Sequence, residues 1–286
     1  MTIGTPHRWS GPNRTGRTQV NLLEQVGRRV LHVSRVADLA PRYRRVYLTG
    51  EDLAAGFPYV RFAPTDHVKL VFPDPSTGEL TLPTPGRGLR GEEGGPRPVF
   101  RDYTVRAWLP DSRELALEFV LHGEGVGSTW AANARPGDVV GVLGARGNIV
   151  FPEDHARYLL AGDEAALPAI CRFVEELPEG ATATVAVEVE TASEAIALAS
   201  RDGVEVLWVA RDVEGEGGLE RAVRRLAPVA EGGWFAFVAG EVAKVKPIRD
   251  FLRLELGLPR ERVVADGYWK RGVANLDHHS VDLNAD

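Results

Sequence analysis

Arg101-Asp102-Tyr103-Thr104 gathers a guanidinium, a flat phenol and a hydroxyl within four residues, on a run that reads as a strand. Side chains alternate along a strand, so Arg101 and Tyr103 share one face and Thr104 takes the other. Such a set suits a flavin nucleotide. The Arg forks onto a phosphate, the Tyr lies against the ring system or ribityl chain, and the Thr bonds a polar ring edge. The same residues also suit a plain barrel strand with an exposed Arg. Farther on comes His122-Gly123-Glu124-Gly125-Val126-Gly127-Ser128-Thr129-Trp130-Ala131-Ala132. Here a strand ends, glycines turn the chain, and the pattern starts a helix near Ser128. Unpaired amides at a helix start favour a pyrophosphate. Ser128 or Thr129 would cap that helix or donate to a phosphate.

These residues need elements to carry them, and the chain changes rhythm midway. Short runs rich in Val, Tyr, Phe and Thr occupy Arg29–Val36, Arg45–Thr49, His67–Phe72, Asp102–Trp108, Leu115–His122 and Asp138–Leu143. Gly/Pro turns separate them, which predicts an antiparallel barrel or sandwich. A polar insertion, Pro83–Pro98, reads as a mobile loop. After Phe151-Pro152 strands alternate with helices. Strands are predicted at Arg157–Ala161, Thr182–Val189, Val204–Ala210, Trp234–Ala239 and Arg262–Ala265. Helices are predicted at Glu164–Leu177, Ala192–Ser200, Gly218–Leu226 and Val245–Leu256. Apolar strands between helices predict a doubly wound parallel sheet. The sequence predicts a disordered tail over 1–25, a barrel domain over 26–150, an α/β domain over 151–273 and a flexible tail over 274–286.

The chain has 286 residues and a net charge of −6, with one cysteine, Cys171. A single cysteine excludes a disulfide framework, a CxxC pair and an iron–sulfur cluster. Redox chemistry here must borrow an organic cofactor or bind a metal through His and carboxylate. Cys171 itself lies in an apolar stretch and reads as a small buried hydrophobe. Residues 1–150 carry 19 basic against 15 acidic side chains, and residues 151–286 carry 15 against 25. The first half is the better host for an anion, and the second is no nucleic-acid binder. No apolar run is long enough to span a bilayer. The N-terminus has basic residues without an apolar core behind them, so it reads as a tail rather than a secretory signal. With unpaired cysteine this points to the cytoplasm. His278-His279 beside Asp277 sits in a terminal tail without preorganised partners, so no metal site is expected.

Taken in order, eight blocks resemble the siderophore-interacting protein family, which belongs to the ferredoxin-reductase-like flavoproteins. They are HVKL at His67–Leu70, RDYTVR at Arg101–Arg106, HGEGVGSTWA at His122–Ala131, RPGD at Arg135–Asp138, GARG at Gly144–Gly147, LLAGDEAALPAI at Leu159–Ile170, VAGE at Val238–Glu241 and GYWKRG at Gly267–Gly272. The resemblance implies noncovalent FAD on Arg101, Tyr103 and Thr104, with His122, Gly125, Val126, Gly127, Ser128, Thr129 and Trp130 at the ribityl chain and pyrophosphate. It implies a nicotinamide coenzyme, NADH or NADPH, at Gly162, Asp163, Glu164, Gly240 and Glu241, although the dinucleotide fingerprint GxGxxG is absent. It implies an anionic ferric siderophore on Lys69, Arg146, Lys270 and Arg271, held by charge. No general acid or base is required, because the cofactor carries the chemistry. The alternatives are a flavin reductase for another acceptor and a non-enzymatic flavin-containing sensor or siderophore-binding module. For the coenzyme's ribose, Glu188 and Glu190 would favour a hydroxyl, while Arg201 and Arg211 would favour a phosphate. The sequence leaves that choice and the oligomeric state open.

Overall fold

The structure is a computed structural model, and it describes residues 11–23, 26–83, 98–227, 233–273, 276 and 283. The loop expected at Pro83–Pro98 lies, from 84 to 97, outside the described residues, as do Asp277, His278 and His279. The chain divides into two compact units. One takes Val20–Ile149, and the other takes Gly11–Gln19 with the chain from Val150 onward.

In the first unit β2 (Arg28–Ala40), β3 (Tyr43–Thr49), β4 (His67–Phe72), β5 (Val99–Leu109), β6 (Glu114–Val120) and β7 (Val139–Gly144) close into a barrel, in the order β2-β3-β6-β5-β4-β7. Every pairing is antiparallel. Alternating apolar side chains such as Leu31, Val46, Val68, Leu70, Val105 and Leu117 fill the interior. The helix α1 (Val126–Asn133) packs on β3, β4 and β6 and buries Ala131 in the same core. Arg106, the last residue of the RDYTVR block, is buried beside Glu118, which also pairs with Arg45 and accepts the Tyr43 hydroxyl at 2.6 Å. Burying one carboxylate among two guanidinia and a phenol satisfies its charge, and it fixes β3, β5 and β6 to one another. Two short strands absent from the sequence reading, β1 (Gln19–Leu22) and β8 (Gly147–Val150), pair with each other.

The second unit is a five-stranded sheet ordered β11-β10-β9-β12-β13. Its strands are β9 (Arg157–Gly162), β10 (Thr182–Val189), β11 (Val204–Ala210), β12 (Trp234–Glu241) and β13 (Val263–Trp269), all parallel. The near-continuous apolar runs of the three central strands, β9, β10 and β12, are buried on both faces, as sheets covered by helices require. The helices are α2 (Leu167–Glu176), α3 (Arg211–Glu214), α4 (Gly218–Leu226) and α5 (Val242–Asp250). Leu219, Ala222 and Val223 form the buried stripe of α4, at the i, i+3, i+4 spacing of a core-facing helix. Chain order reverses between β9 and β12, so a topological switch point opens at their carboxyl ends, where sheets of this kind bind ligands.

Three expectations are corrected. Residues 11–23 are not a disordered tail: Asn13 is fully buried, and its side-chain amide donates to the carbonyls of Val150 at 3.0 Å and Arg17 at 2.9 Å. Leu283, in the stretch expected to be a flexible tail, is held in place: its side chain joins the α/β core and its carbonyl accepts from Arg249. The helix expected over Ala192–Ser200 shrinks to one turn, Ala192–Glu194. Beyond it Ile196 and Leu198 are half-buried while Ala197 and Ala199 are exposed. That period of two belongs to extended chain, not to a helix. Helical turns also shift at two other places. Glu164–Ala166 is a tight turn before α2, and α5 continues into one widened turn at Phe251–Glu255.

Candidate functional site

Register decides how the barrel residues face. On β4 and β5, Val68 lies opposite Tyr103 and Leu70 opposite Arg101, while Lys69 lies opposite Asp102 and His67 opposite Thr104. Val68 and Leu70 are core residues, so Arg101 and Tyr103 share the core-directed face, and Asp102 and Thr104 share the other with Lys69. The Tyr103 ring centroid is 4.3 Å from that of Phe119 and 6.3 Å from that of Phe72. Burial holds its phenol above the ordinary range, against a smaller opposing pull from Arg101. Trp130 joins the same aromatic group, 5.6 Å from Phe72 and 5.8 Å from Phe119.

Gly127 is where α1 meets β5. A Cβ there would stand 2.0 Å from the Tyr103 hydroxyl oxygen, so only glycine allows the approach. The helix starts earlier than the sequence suggests. Gly125, at φ 80°, is its cap and Val126 its first residue. Ser128 is not the cap: its Oγ accepts the His122 N–H at 2.9 Å and ties the glycine turn closed. The first intrahelical bond runs from the Thr129 N–H to the Gly125 carbonyl at 3.0 Å. The amides of Val126, Gly127 and Ser128 are therefore left at the helix start without intrahelical acceptors. His122 and Thr129 are exposed. Arg101 donates to the Phe100 carbonyl at 2.6 Å and meets no carboxylate among the described residues.

Among the expected substrate residues, Lys69 forms an ion pair with Asp102, at 2.6 and 2.8 Å from its two oxygens. Arg146, Lys270 and Arg271 are exposed, and their side chains meet no carboxylate among the described residues. Lys270 and Arg271 lie beyond the end of β13, in a turn closed by the Val273 N–H on the Lys270 carbonyl at 3.0 Å. Strand alternation, which would send only one of the two toward a ligand, does not apply there.

In the α/β unit the expected coenzyme residues gather at the switch point. Gly162 ends β9 against Ala239, whose carbonyl oxygen would lie 2.5 Å from a Cβ on Gly162. Asp163 follows and is 1% exposed. Its carboxylate accepts from the Ala165 N–H at 3.0 Å, the Glu241 N–H at 2.9 Å and the Trp269 indole N–H at 2.8 Å. One side chain thus fastens the carboxyl ends of β9, β12 and β13. Burial and the neighbouring Glu164 charge raise its pKa to about 6, against the pull of those three donors. Glu241 caps α5 through the Ala243 N–H at 2.7 Å and accepts the Arg271 N–H at 3.2 Å. Asp163 and Glu241 are braces of the crevice. Glu164 is committed to Arg211. Trp269 is a site residue that the motif GYWKRG carries without marking its role; a buried indole N–H usually finds an acceptor, and here it is Asp163.

Comparison with known proteins gives the chain a family. The profile of the siderophore-interacting FAD-binding domain matches residues 32–149, and that of the siderophore-interacting protein matches residues 155–272. The chain belongs to the siderophore-interacting protein family. Ferric vibriobactin reductase ViuB of Vibrio cholerae is 35% identical over 263 residues, covering 91% of this chain and 95% of that one. The NADPH-dependent ferric-chelate reductase of Escherichia coli is 36% identical over 267 residues, 90% of this chain and 98% of that one. The crystal structure of a siderophore utilization protein from T. fusca superposes with a TM-score of 0.81 at 41% identity, covering 92% of this chain and 99% of that one. A ferredoxin NADP+ reductase from Neisseria gonorrhoeae, at 15% identity and a TM-score of 0.58, shares the fold. As a member of this family the chain is an FAD-dependent oxidoreductase. Its residues fit the cofactor. Arg101 keeps donors for a phosphate, the first amides of α1 suit an anion, and Tyr103 is a flat ring held rigidly by packing.

Proposed function

We propose that the protein is an NAD(P)H-dependent ferric-siderophore reductase that releases ferrous iron in the cytoplasm. The observation that carries the reading is the pairing, in one chain, of an FAD-type barrel with a parallel sheet whose switch point is built from Gly162, Asp163, Gly240 and Glu241. The named reductases similar to it over nearly full length support it. Bound FAD would turn a two-electron hydride donor into a source of single electrons. One hydride serves two ferric centres and leaves one proton for solvent.

The chain's own residues bind and orient. Arg101 and the amides of Val126, Gly127 and Ser128 hold phosphates, and Thr104 bonds a polar ring edge. Gly162 and Gly240 let β9, β12 and the Asp163 carboxylate pack closely at the switch point, where the nicotinamide coenzyme would lie. Arg146, Lys270, Arg271 and Lys69 draw the anionic ferric complex. Ferrous iron binds siderophore oxygens more weakly than ferric iron, so reduction is release. No described helix is long and apolar enough to cross a membrane.

The Lys69–Asp102 pair favours a second reading, a flavin reductase for another acceptor, because it engages one of the four cations of the basic substrate patch. Alanine substitution separates the two. If an exposed cationic patch holds the ferric complex, attraction is screened by salt over about 8–10 Å. Arg271→Ala should then raise KM for an anionic ferric siderophore at low salt, with the rate of flavin reduction by NAD(P)H unchanged. Lys69→Ala should do so less, since its charge is already shared. Unaltered KM in the Arg271 and Arg146 variants gives the second reading the advantage.

A further inference from the structure

The coenzyme edge of the sheet carries an ion cluster that the reading above does not use. Arg211 is the first residue after β11. It meets Glu164 beyond β9, Glu188 near the end of β10 and Glu190 just after β10. A guanidinium has five N–H donors, and each is spent. Nη1 donates to Glu164 at 2.9 Å and Glu188 at 3.2 Å, Nη2 to Glu164 and to Glu190 at 2.9 Å, and Nε to Glu190 at 3.2 Å. Lys244, in the first turn of α5, is held by Glu188. In these pairs among the described residues, three carboxylates face two cations, a net negative charge. Arg201, the other cation that could take a phosphate, donates to the Pro178 carbonyl at 3.0 Å. Pro178 and Arg201 precede β10 and β11, so they lie at the amino edge of the sheet, the wrong end for a ligand at the carboxyl edge.

We propose that the protein prefers NADH to NADPH, and that Glu190 sets this preference by keeping Arg211 from a ribose 2′-phosphate. The inference rests on the reading that the coenzyme's adenosine half lies along the carboxyl ends of β9, β10 and β11. A 2′-phosphate, carrying nearly two negative charges at neutral pH, meets a cluster that is already negative and whose guanidinium has no donor left. A 2′-hydroxyl can instead donate to a carboxylate. Glu190, 47% exposed, is the carboxylate of the three that solvent and ligand reach most readily, since Glu188 is 1% exposed and Glu164 12%. This separates the chain from its NADPH-dependent relative in Escherichia coli.

The test uses the flavin-loaded protein under anaerobic conditions. Flavin bleaching is followed after mixing with NADH or NADPH, and binding of 5′-AMP and 2′,5′-ADP is measured by calorimetry. The wild type should be half-saturated by NADH at a concentration about tenfold or more below that of NADPH, with 5′-AMP preferred over 2′,5′-ADP by a similar factor. Glu190→Gln, at a half-exposed position, should fold as the wild type does and close most of the gap. Equal use of both coenzymes, a preference for NADPH, or an unmoved ratio in Glu190→Gln overturns the inference while leaving the coenzyme site in place. Failure of every one of these nucleotides to bind or bleach overturns the site reading, and the inference falls with it.

Discussion

Gly127 and Tyr103 form a lock between α1 and the flavin-type strand, and it can be picked from either side. Gly127→Ala puts a methyl group 2.0 Å from the Tyr103 hydroxyl oxygen, an overpacking that costs about 1–3 kcal/mol. The next neighbour, Tyr103 Cζ, would be at 3.1 Å, so adding Tyr103→Phe should restore most of the lost Tm. A double variant no more stable than Gly127→Ala would show that the strain lies elsewhere. Asp163 offers a test by pH. Its value of about 6 stands above the ordinary 3.8, so the native chain holds this proton more tightly than the unfolded chain does. Stability contributed at this site is therefore greatest near pH 4, falls as pH rises to about 6, and is level beyond. Denaturant unfolding across that window should show wild type losing on the order of 2–3 kcal/mol relative to Asp163→Asn. A constant difference between the two would mean that Asp163 titrates normally.

Among the elements, the strands were the most legible part and the helix boundaries the least. Alternating Val, Tyr and Phe runs located all six barrel strands, and five apolar runs located the parallel sheet. In the barrel one buried face enforces each strand's period, and in the central parallel strands burial on both faces enforces a continuous apolar run. After Thr191, alanines at every second position carry the composition of a helix without its period, so composition alone overstates the helix there. Serine and threonine are the usual caps, so the sequence places the start of α1 too late; here a glycine at positive φ turns the chain and Ser128 accepts from the His122 N–H. At the carboxyl edge of the sheet, Gly240 has φ 140° and a Cβ there would stand 2.6 Å from the Asp163 carboxylate. Gly240→Ala should cost about 1–3 kcal/mol from backbone strain and contact. It should weaken half-saturation by the nicotinamide coenzyme while FAD content, a property of the barrel, stays at the wild-type level. Loss of FAD in this variant would contradict the division of labour between the two units.

At the scale of the molecule, the order of barrel then parallel sheet, and the positive first half before the negative second, were both visible before any coordinates. The bracing of the crevice was not. Asp163, Glu241 and Trp269 come from three separate strand ends, and no spacing along the chain says that one carboxylate will hold the other two. The five spent donors of Arg211 were equally hidden, because Glu164, Glu188 and Glu190 become its neighbours only once β9, β10 and β11 align. The central claim is that electrons pass from NAD(P)H through bound FAD to a ferric siderophore. Its most direct test is an anaerobic two-step mixing experiment on the purified, flavin-loaded protein. NADH or NADPH is added first, and the flavin absorption band should bleach. A ferric siderophore is added second, and the band should return as ferrous iron appears in a chelator trap, two irons for each flavin reoxidised. A flavin that bleaches but stays reduced in the presence of ferric siderophores would contradict the account and assign the electrons to another acceptor.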